Sequence, residues 1–298
     1  MSLAPRAVLV HRATEYEELL ARHGTHGQAE FFLASRGQSI KEVAERHHRT
    51  RRALAEVAAA VPLQWRRTRL ERADLDRFLF APEDVVVVVG QDGLVANTAK
   101  YLDGQPVVGI DTDPGRNPGV LVRHHAEDAR RLLRAATSRG AVAEELTMVE
   151  AVTDDGQRLL ALNEIYFGRA GHQTARYRLR PGDGAPGEPQ ASSGVLVGTG
   201  TGCTGWLRSL WQQRGSAMAL PRPADPRLVW FVREAWASPA TGTSLVEGLL
   251  TGADRLRLVV ESDRLVAFGD GMETDAVELT WGQTVELGVA GAALRLLG

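Results

Sequence analysis

The sequence predicts an α/β N-terminal domain with a parallel sheet, followed by a β-rich C-terminal domain. The first observation behind this is Val85 to Val89, five consecutive valines. An all-apolar β-branched run marks a strand buried on both faces, as in a parallel sheet covered by helices. The second is a β-α-β-α-β order of segments up to that run, which implies right-handed crossovers. The third is a change of grammar after about residue 142. From there short strand candidates alternate with Gly, Asp, Ser and Pro turns, the pattern of an antiparallel domain.

In chain order, residues 7–10 read as the first buried strand, and the polar, periodic residues 16–34 as one or two helices interrupted near residues 24–27. Ser39 reads as an N-cap with Glu42 as its capping-box partner, opening a helix to about residue 61. Residues 63–68 give the second strand, 74–80 a short helix and 85–89 the third strand. Residues 106–110 give the fourth, ending in the acidic turn Asp111-Thr112-Asp113-Pro114-Gly115. Residues 127–138 form a helix stopped by Gly140. The later strand candidates are 147–153, 159–167, 174–180, 194–197, 228–232, 255–261, 265–268 and 285–289. Residues 181–190, rich in Pro and Gly, read as a mobile hairpin tip.

At 298 residues with 44% hydrophobic side chains, the chain suits two domains or one large one. A formal net charge of −2 argues against non-specific nucleic-acid binding. The single cysteine, Cys203, excludes an internal disulfide and a cysteine-rich metal site, and fits a reducing cytoplasm. No stretch approaches the ~18 apolar residues of a membrane span, and the apolar part of the N-terminus is too short for a signal peptide. A soluble, cytoplasmic protein is expected.

Four stretches carry candidate chemistry. Gly90-Gln91-Asp92-Gly93 follows the valine strand, where open α/β sheets bind ligands, and its glycines expose amides next to a helix N-terminus. The same four residues serve equally as an ordinary turn. Asp113 occupies the corresponding turn after the fourth strand. Residues 192–206, SSGVLVGTGTGCTGW, interleave Thr199, Thr201 and Thr204 with glycines before a helix and suit a sugar or phosphate; a flexible glycine loop is the alternative. This is not a Walker A loop, since no Gly-Lys-Ser/Thr closes it, and no βαβ unit surrounds its G-x-G-x-x-G match. Asn163-Glu164, at a strand end, suits ribose hydroxyls or an adenine edge, or a plain hairpin turn.

Taken together and in this order, Gly90 to Leu94, Asn163-Glu164 and Ser193 to Trp206 resemble the NAD kinase family. That family has a G-G-D-G-T turn after a buried strand, then an Asn-Glu pair, then a Gly/Thr/Ser loop ending in an aromatic residue. The finer likeness is to the branch typified by the mitochondrial enzyme, through Gly109 to Pro114 and Ser192 to Gly202; Val232-Arg233-Glu234 and Asp270-Gly271 match more loosely. The resemblance implies an α/β domain over 1–142, a β-rich domain over 143–274 and a last segment from about 275 that returns to the first domain. It implies transfer of the γ-phosphoryl of ATP, with Mg²⁺, to the 2′-hydroxyl of NAD. Asp92 would accept or orient the hydroxyl proton, and Gly90, Gln91, Gly93 and Asp113 would flank the nucleotides. Asn163, Glu164, Ser193, Thr199, Thr201, Thr204 and Trp206 would line the acceptor cleft. A homodimer or tetramer is implied as well; no residue is assigned to a metal.

The departures are specific. Gln91 replaces the family's second glycine, Leu94 its threonine and Cys203 a serine. They leave open a working NAD kinase, a relative that phosphorylates another small hydroxylated metabolite, and a nucleotide-binding protein without catalysis.

Overall fold

The computed structural model describes residues 4–115, 120–138, 142–182 and 186–298. The chain divides into two compact units, Met1–Glu144 with Arg295–Gly298, and Glu145–Leu294.

In the first unit, β1 (Arg6–His11) leads through α1 (Glu15–His23), α2 (His26–Ala34) and α3 (Ile40–Ala60) to β2 (Arg66–Glu71). Then come β3 (Asp84–Gly90), α4 (Asp92–Ala99), β4 (Pro106–Asp111) and α5 (Ala129–Ala136). The strands lie in the order β2-β1-β3-β4, all parallel. The valines of β3 are buried on both faces, and Val85, Val87 and Val89 pack with Ala7 and Leu9 against Leu54, Val57, Leu132 and Leu133. Burial of that run dictates helices on both sides of the sheet.

Several details depart from the sequence expectation. Ser39 precedes α3 but makes no capping bond, and its ψ is 121°. Thr14 and Thr25, with ψ of 155° and 157°, do cap α1 and α2, and Thr14 forms a full capping box with Glu17. The expected helix at 74–80 is a 3-10 turn, Arg72–Arg77, and β2 starts at Arg66, beyond the fully exposed Leu63. The helix stop expected at Gly140 lies outside the described residues.

The remaining elements are β5 (Ala143–Thr153), β6 (Arg158–Ala161), β7 (Glu164–Gly168), β8 (Ala175–Pro181), β9 (Glu188–Ser192) and β10 (Val195–Gly198). They continue with α6 (Trp206–Arg214), β11 (Arg227–Val232), β12 (Glu247–Thr251), β13 (Leu256–Val260), β14 (Arg264–Gly269), β15 (Val277–Thr280) and β16 (Thr284–Leu297). One antiparallel sheet of the second unit runs β12-β11-β10-β7-β14-β15. In the other, the first part of β16 pairs with β13, β13 with β8, and β8 with β9. Ile165 and Phe167 of β7 join Tyr177, Leu179, Leu256 and Leu258 in one core. Tyr166, between them in sequence, faces the other way and joins Leu196, Phe231 and Leu207 of α6. This is the two-residue alternation of a strand covered on both faces.

Residues 159–167 were expected as one strand but break into β6 and β7 at Leu162-Asn163. Within 181–190, residues from Glu188 onward form β9 rather than a hairpin tip, since the Glu188 carboxylate accepts the N–H groups of Ser244 and Leu245 at 3.1 Å; 183–185 lie outside the described residues. β12 and β15 were not expected. The C-terminal return consists of Arg295 and Leu296 of β16, parallel to Pro106 and Val107 of β4, while residues 275–294 belong to the second unit. Among the described residues no helix is long and apolar enough to cross a membrane.

Gly109 ties β4 to the segment that follows it, because a Cβ there would overlap the Leu121 carbonyl and the Val122 Cα. Gly109→Ala should therefore cost about 1–3 kcal/mol, the usual penalty of overpacking. Urea unfolding measures it; an unchanged midpoint would mean that residues 121–122 shift freely.

Candidate functional site

The C-terminal ends of the parallel strands gather charge in the first unit. Arg12 follows β1, Arg72 follows β2, Gly90 and Gln91 close β3, and Thr112 and Asp113 follow β4. With Arg46 and His47 from α3, and Gly93, Leu94 and Asn97 from α4, they line a cavity of about 670 Å³. Three arginines and the start of α4 thus face one space at the edge where open α/β sheets bind ligands. Each arginine already has a partner. Arg46 pairs with Glu15 at 2.6 Å, Arg12 with Glu18 at 3.5 Å, and Arg72 Nε donates to Asn97 Oδ1 at 2.7 Å. The side chains of Glu15 and Glu18 are 55% and 51% exposed, so these pairs are weak and a polyphosphate could displace them.

Asp92 is the first residue of α4, and its carboxylate is not among the groups lining that cavity. Oδ2 accepts the Val120 N–H at 2.8 Å, and Oδ1 accepts those of Leu121 and Val122, both at 2.9 Å. A carboxylate offers about four lone-pair positions, and three are taken among the described residues. Asp92 therefore anchors the segment after β4. Gln91 is exposed and makes no capping bond, which leaves its amide free to meet a ligand. Leu94 is buried against Gly90, so here the family's threonine position packs. Asp113 is held by Arg49 at 2.7 Å and donates its N–H to Asp111 Oδ1 at 2.8 Å.

In the second unit, the corner Leu162-Asn163-Glu164 is clamped from two sides. Asp270, at a φ of 53°, accepts the N–H groups of Leu162 and Asn163 at 2.9 and 2.7 Å, and its own N–H donates to the Glu164 carbonyl at 3.0 Å. Thr199 donates its hydroxyl to the Leu162 carbonyl at 2.6 Å and its N–H to the Asn163 carbonyl at 2.9 Å. Gly198 and Gly202 lie so close to that carbonyl that a Cβ on either would overlap it. Gly198 and Gly202, expected to open amides to a ligand, are thus demanded by backbone packing; residues 198–203 are buried, while Thr204, Gly205 and Trp206 are exposed.

The same clamp fixes what faces inward. The Glu164 carboxyl makes no hydrogen bond among the described residues; burial, and next the Asp270 charge, push its pKa up to about 8. Thr201 Oγ1 is buried without a partner among the described residues. Burial and Glu164 push the Cys203 thiol up to about 12, so it stays a protonated packing group. Thr204 donates its hydroxyl to the Thr201 carbonyl at 2.9 Å. Trp206, 38% exposed, stacks on Tyr166 with ring centroids 6.1 Å apart. Ser193 is half-buried, and its carbonyl accepts the Tyr166 hydroxyl at 3.0 Å. Asn163, Glu164, Thr199, Thr201 and Thr204 are brought together around the corner, and Ser193 and Trp206 meet at Tyr166. Sequence reasoning missed Arg12, Arg46 and Arg72; for Arg12 and Arg72 the available signal was position, a cation directly after a strand. Among the described residues no three His, Cys, Asp or Glu side chains gather as metal ligands.

Because its folded pKa lies above the ordinary carboxylate value, Glu164 stays protonated in the fold after the unfolded chain has lost that proton. Its stabilising contribution is full below about pH 4.5 and is lost as pH rises through about 8. Stability of the Glu164→Gln variant should be flatter with pH across that window. Urea midpoints of both proteins test this, and equally flat curves would show a solvated, ionised carboxylate.

No family model matches the sequence. Rat mitochondrial NAD kinase 2 is 26% identical over 250 residues, covering 67% of this chain and 59% of that protein. The human protein of the same name is 27% identical over 250 residues, covering 67% and 57%. The chain thus spans less than two thirds of these relatives. A crystallised NAD kinase from Archaeoglobus fulgidus, in complex with ATP, shares the fold at a TM-score of 0.58 and 16% identity, over 98% of this chain and 93% of that one. The chain is thus similar in sequence to mitochondrial NAD kinases over two thirds of its length, and it shares the fold of the archaeal NAD kinase over nearly all of it.

Proposed function

We propose that this protein transfers the γ-phosphoryl group of ATP to the 2′-hydroxyl of NAD. The observation that carries the reading is the Asn163-Glu164 corner, whose main chain is clamped by Asp270, Thr199 and the close glycines and so sets where the Asn163 and Glu164 side chains start. Such a corner presents donors and acceptors in set positions to ribose hydroxyls, and a protonated Glu164 both donates and accepts. A site built to bond hydroxyls leaves its own buried groups unpaired without them, which makes it selective.

The cavity at the strand ends of the first unit suits the donor triphosphate, with Arg12, Arg46, Arg72 and the amides at the start of α4 as its anion-binding groups. Mg²⁺ needs only one or two carboxylates beside substrate phosphates, so it would arrive with the nucleotide and neutralise charge there. Phosphoryl transfer rests on positioning and electrostatics more than on covalent chemistry by the protein. Within that scheme the fourth lone-pair position of the Asp92 carboxylate orients the attacking hydroxyl and takes its proton. A different hydroxylated metabolite as acceptor is the second reading, favoured by the free Gln91 amide. The cytoplasmic location, supported by the single cysteine, and a homo-oligomer are parts of the same proposal. The rat and human relatives are named as mitochondrial.

Incubation with ATP, Mg²⁺ and separate pools of NAD, NADH and small polyols, followed by mass spectrometry, should find one added phosphate on NAD. Phosphate on a polyol alone would select the second reading. Asp92→Asn should lower kcat about 10²-fold. It also turns a donor toward one of the amides of residues 120–122, so hydrogen exchange at those amides is followed in parallel. Loosened amides with full turnover would remove Asp92 from the chemistry.

A further inference from the structure

Val43, Arg46, His47 and Thr50 of α3 line the cavity at the strand ends of the first unit. Their spacing is that of a single helix face, so His47 stands in the middle of the face that α3 turns to the cavity. Thr14, the N-cap of α1, lines the same cavity. The two side chains meet there, with Thr14 Oγ1 and His47 Nδ1 2.8 Å apart. Which of them donates is decided by Glu17. Its carboxylate is paired with Arg51, and its Oε2 accepts the Thr14 N–H at 2.9 Å. Against the opposing effect of burial, the bonds from Arg51 and Thr14 bring the Glu17 carboxyl down to about 2, so it is ionised and can only accept. The Thr14 hydroxyl, 3.0 Å from the same Oε2, gives its one proton to that oxygen. Thr14 Oγ1 then has only lone pairs to offer. One takes the Glu17 N–H at 3.4 Å, and the other takes His47, so the bond between Thr14 and His47 runs from Nδ1–H to the hydroxyl oxygen.

A neutral imidazole carries one proton, so with Nδ1 protonated Nε2 presents a lone pair. Nε2 has no hydrogen-bond partner among the described residues, and it is not one of the side-chain nitrogens shut away from solvent. Around the ring stand Tyr16 and Glu17 of α1, and His48 and Arg51 of α3. Burial above all, with Arg51 and His48, outweighs the Glu17 charge and holds the His47 pKa below its ordinary 6.5, so the ring is neutral at neutral pH. Phosphate oxygens are themselves acceptors, and a lone pair at Nε2 offers them no bond. The parts of a nucleotide that carry N–H and O–H groups are its base and its ribose. A cavity of about 670 Å³ falls within the range of about 300–1,000 Å³ that encloses a whole small-molecule ligand, so it has room for more than the phosphates.

We propose that His47, locked by Thr14 as the Nδ1–H tautomer, is a specificity-determining acceptor of this cavity, and that its Nε2 takes an N–H or O–H group of the nucleoside part of the donor nucleotide. That this nucleotide is ATP rests on the kinase reading above; the tautomer does not. The phosphates fall to Arg12, Arg46 and Arg72, which have donors to give. The amino group of the base and the ribose hydroxyls share the chemistry that Nε2 would recognise, and ligand analogues separate them.

The test has a spectroscopic arm and a binding arm, both on the unliganded protein at neutral pH. Long-range proton–nitrogen NMR, with the His47 signals identified by their loss in His47→Gln, should show Nδ1 protonated and Nε2 bare. In calorimetric titrations His47→Phe, which keeps a ring and loses the acceptor, should weaken ATP binding about tenfold and leave the affinity for inorganic triphosphate unchanged. His47→Gln returns a carbonyl acceptor; it covers the case in which the phenylalanine variant fails to fold, and should show an intermediate loss. On the wild-type protein ITP, with a carbonyl in place of the amino group, should lose the same factor if the base is read, and 2′-deoxy or 3′-deoxy ATP if the ribose is. A protonated Nε2, no ATP binding, equal ATP affinity in wild type and variants, a triphosphate affinity that falls along with that for ATP, or no loss with any of the three analogues would overturn the proposal. His47-dependent ATP binding by a protein that phosphorylates nothing would uphold it and defeat only the kinase reading. Phosphorylated NAD from a protein whose ATP affinity ignores His47 would do the reverse.

Discussion

The peptide carbonyl of Asn163 is the point on which the second unit's chemistry depends. A buried carbonyl must be paired, and here the Thr199 N–H supplies the bond while Gly198 and Gly202 close in so tightly that no side chain fits. The corner is then completed by Asp270, whose left-handed backbone is tolerated because aspartate visits that region more readily than most residues. With the main chain held this way, Glu164 starts from a fixed point and its carboxyl is largely buried. Its raised pKa comes first from burial and next from Asp270, the acidic neighbour that also ties down the backbone and whose charge opposes ionisation of Glu164.

In the first unit the governing constraint is the all-valine strand β3. Burial on both faces forces a parallel sheet under helices, and a parallel sheet collects the loops that follow β1, β2, β3 and β4 along one edge. Arg12, Arg72, Gln91 and Thr112 come together because each stands just beyond the end of its strand. Asp92 contributes differently. Its three amide acceptances hold residues 120–122 beside β4, so the acid that the motif singles out is first a structural anchor, and any part in the reaction uses the lone pair left over.

What the sequence made legible follows from how local the cause was. Val85–Val89 announces its strand because burial on both faces needs no distant partner to be read. The Asn163-Glu164 pair and the Thr199–Trp206 loop were legible as a spaced set, but their mutual contact was not, since it runs from Thr199 to the Leu162 and Asn163 carbonyls, nor was the clamp by Asp270, more than a hundred residues on. Ser39-x-x-Glu42 has the capping sequence and makes no capping bond, whereas Thr14-x-x-Glu17 forms the full box and was overlooked. Residues 188–192 look like loop by composition, yet form β9 because Glu188 and Gln190 find partners around Ser244 and Leu245. Such long-range satisfaction of polar groups leaves no mark on local pattern.

The charges at the strand ends of the first unit have a consequence for binding. With a formal net charge of −2, the chain as a whole does not draw anions, so attraction has to be local. At the strand ends of the first unit Arg12 and Arg46 are balanced by exposed glutamates and Arg72 by Asn97, so the two ion pairs are weak and an anion able to bond an arginine in bidentate fashion would displace them.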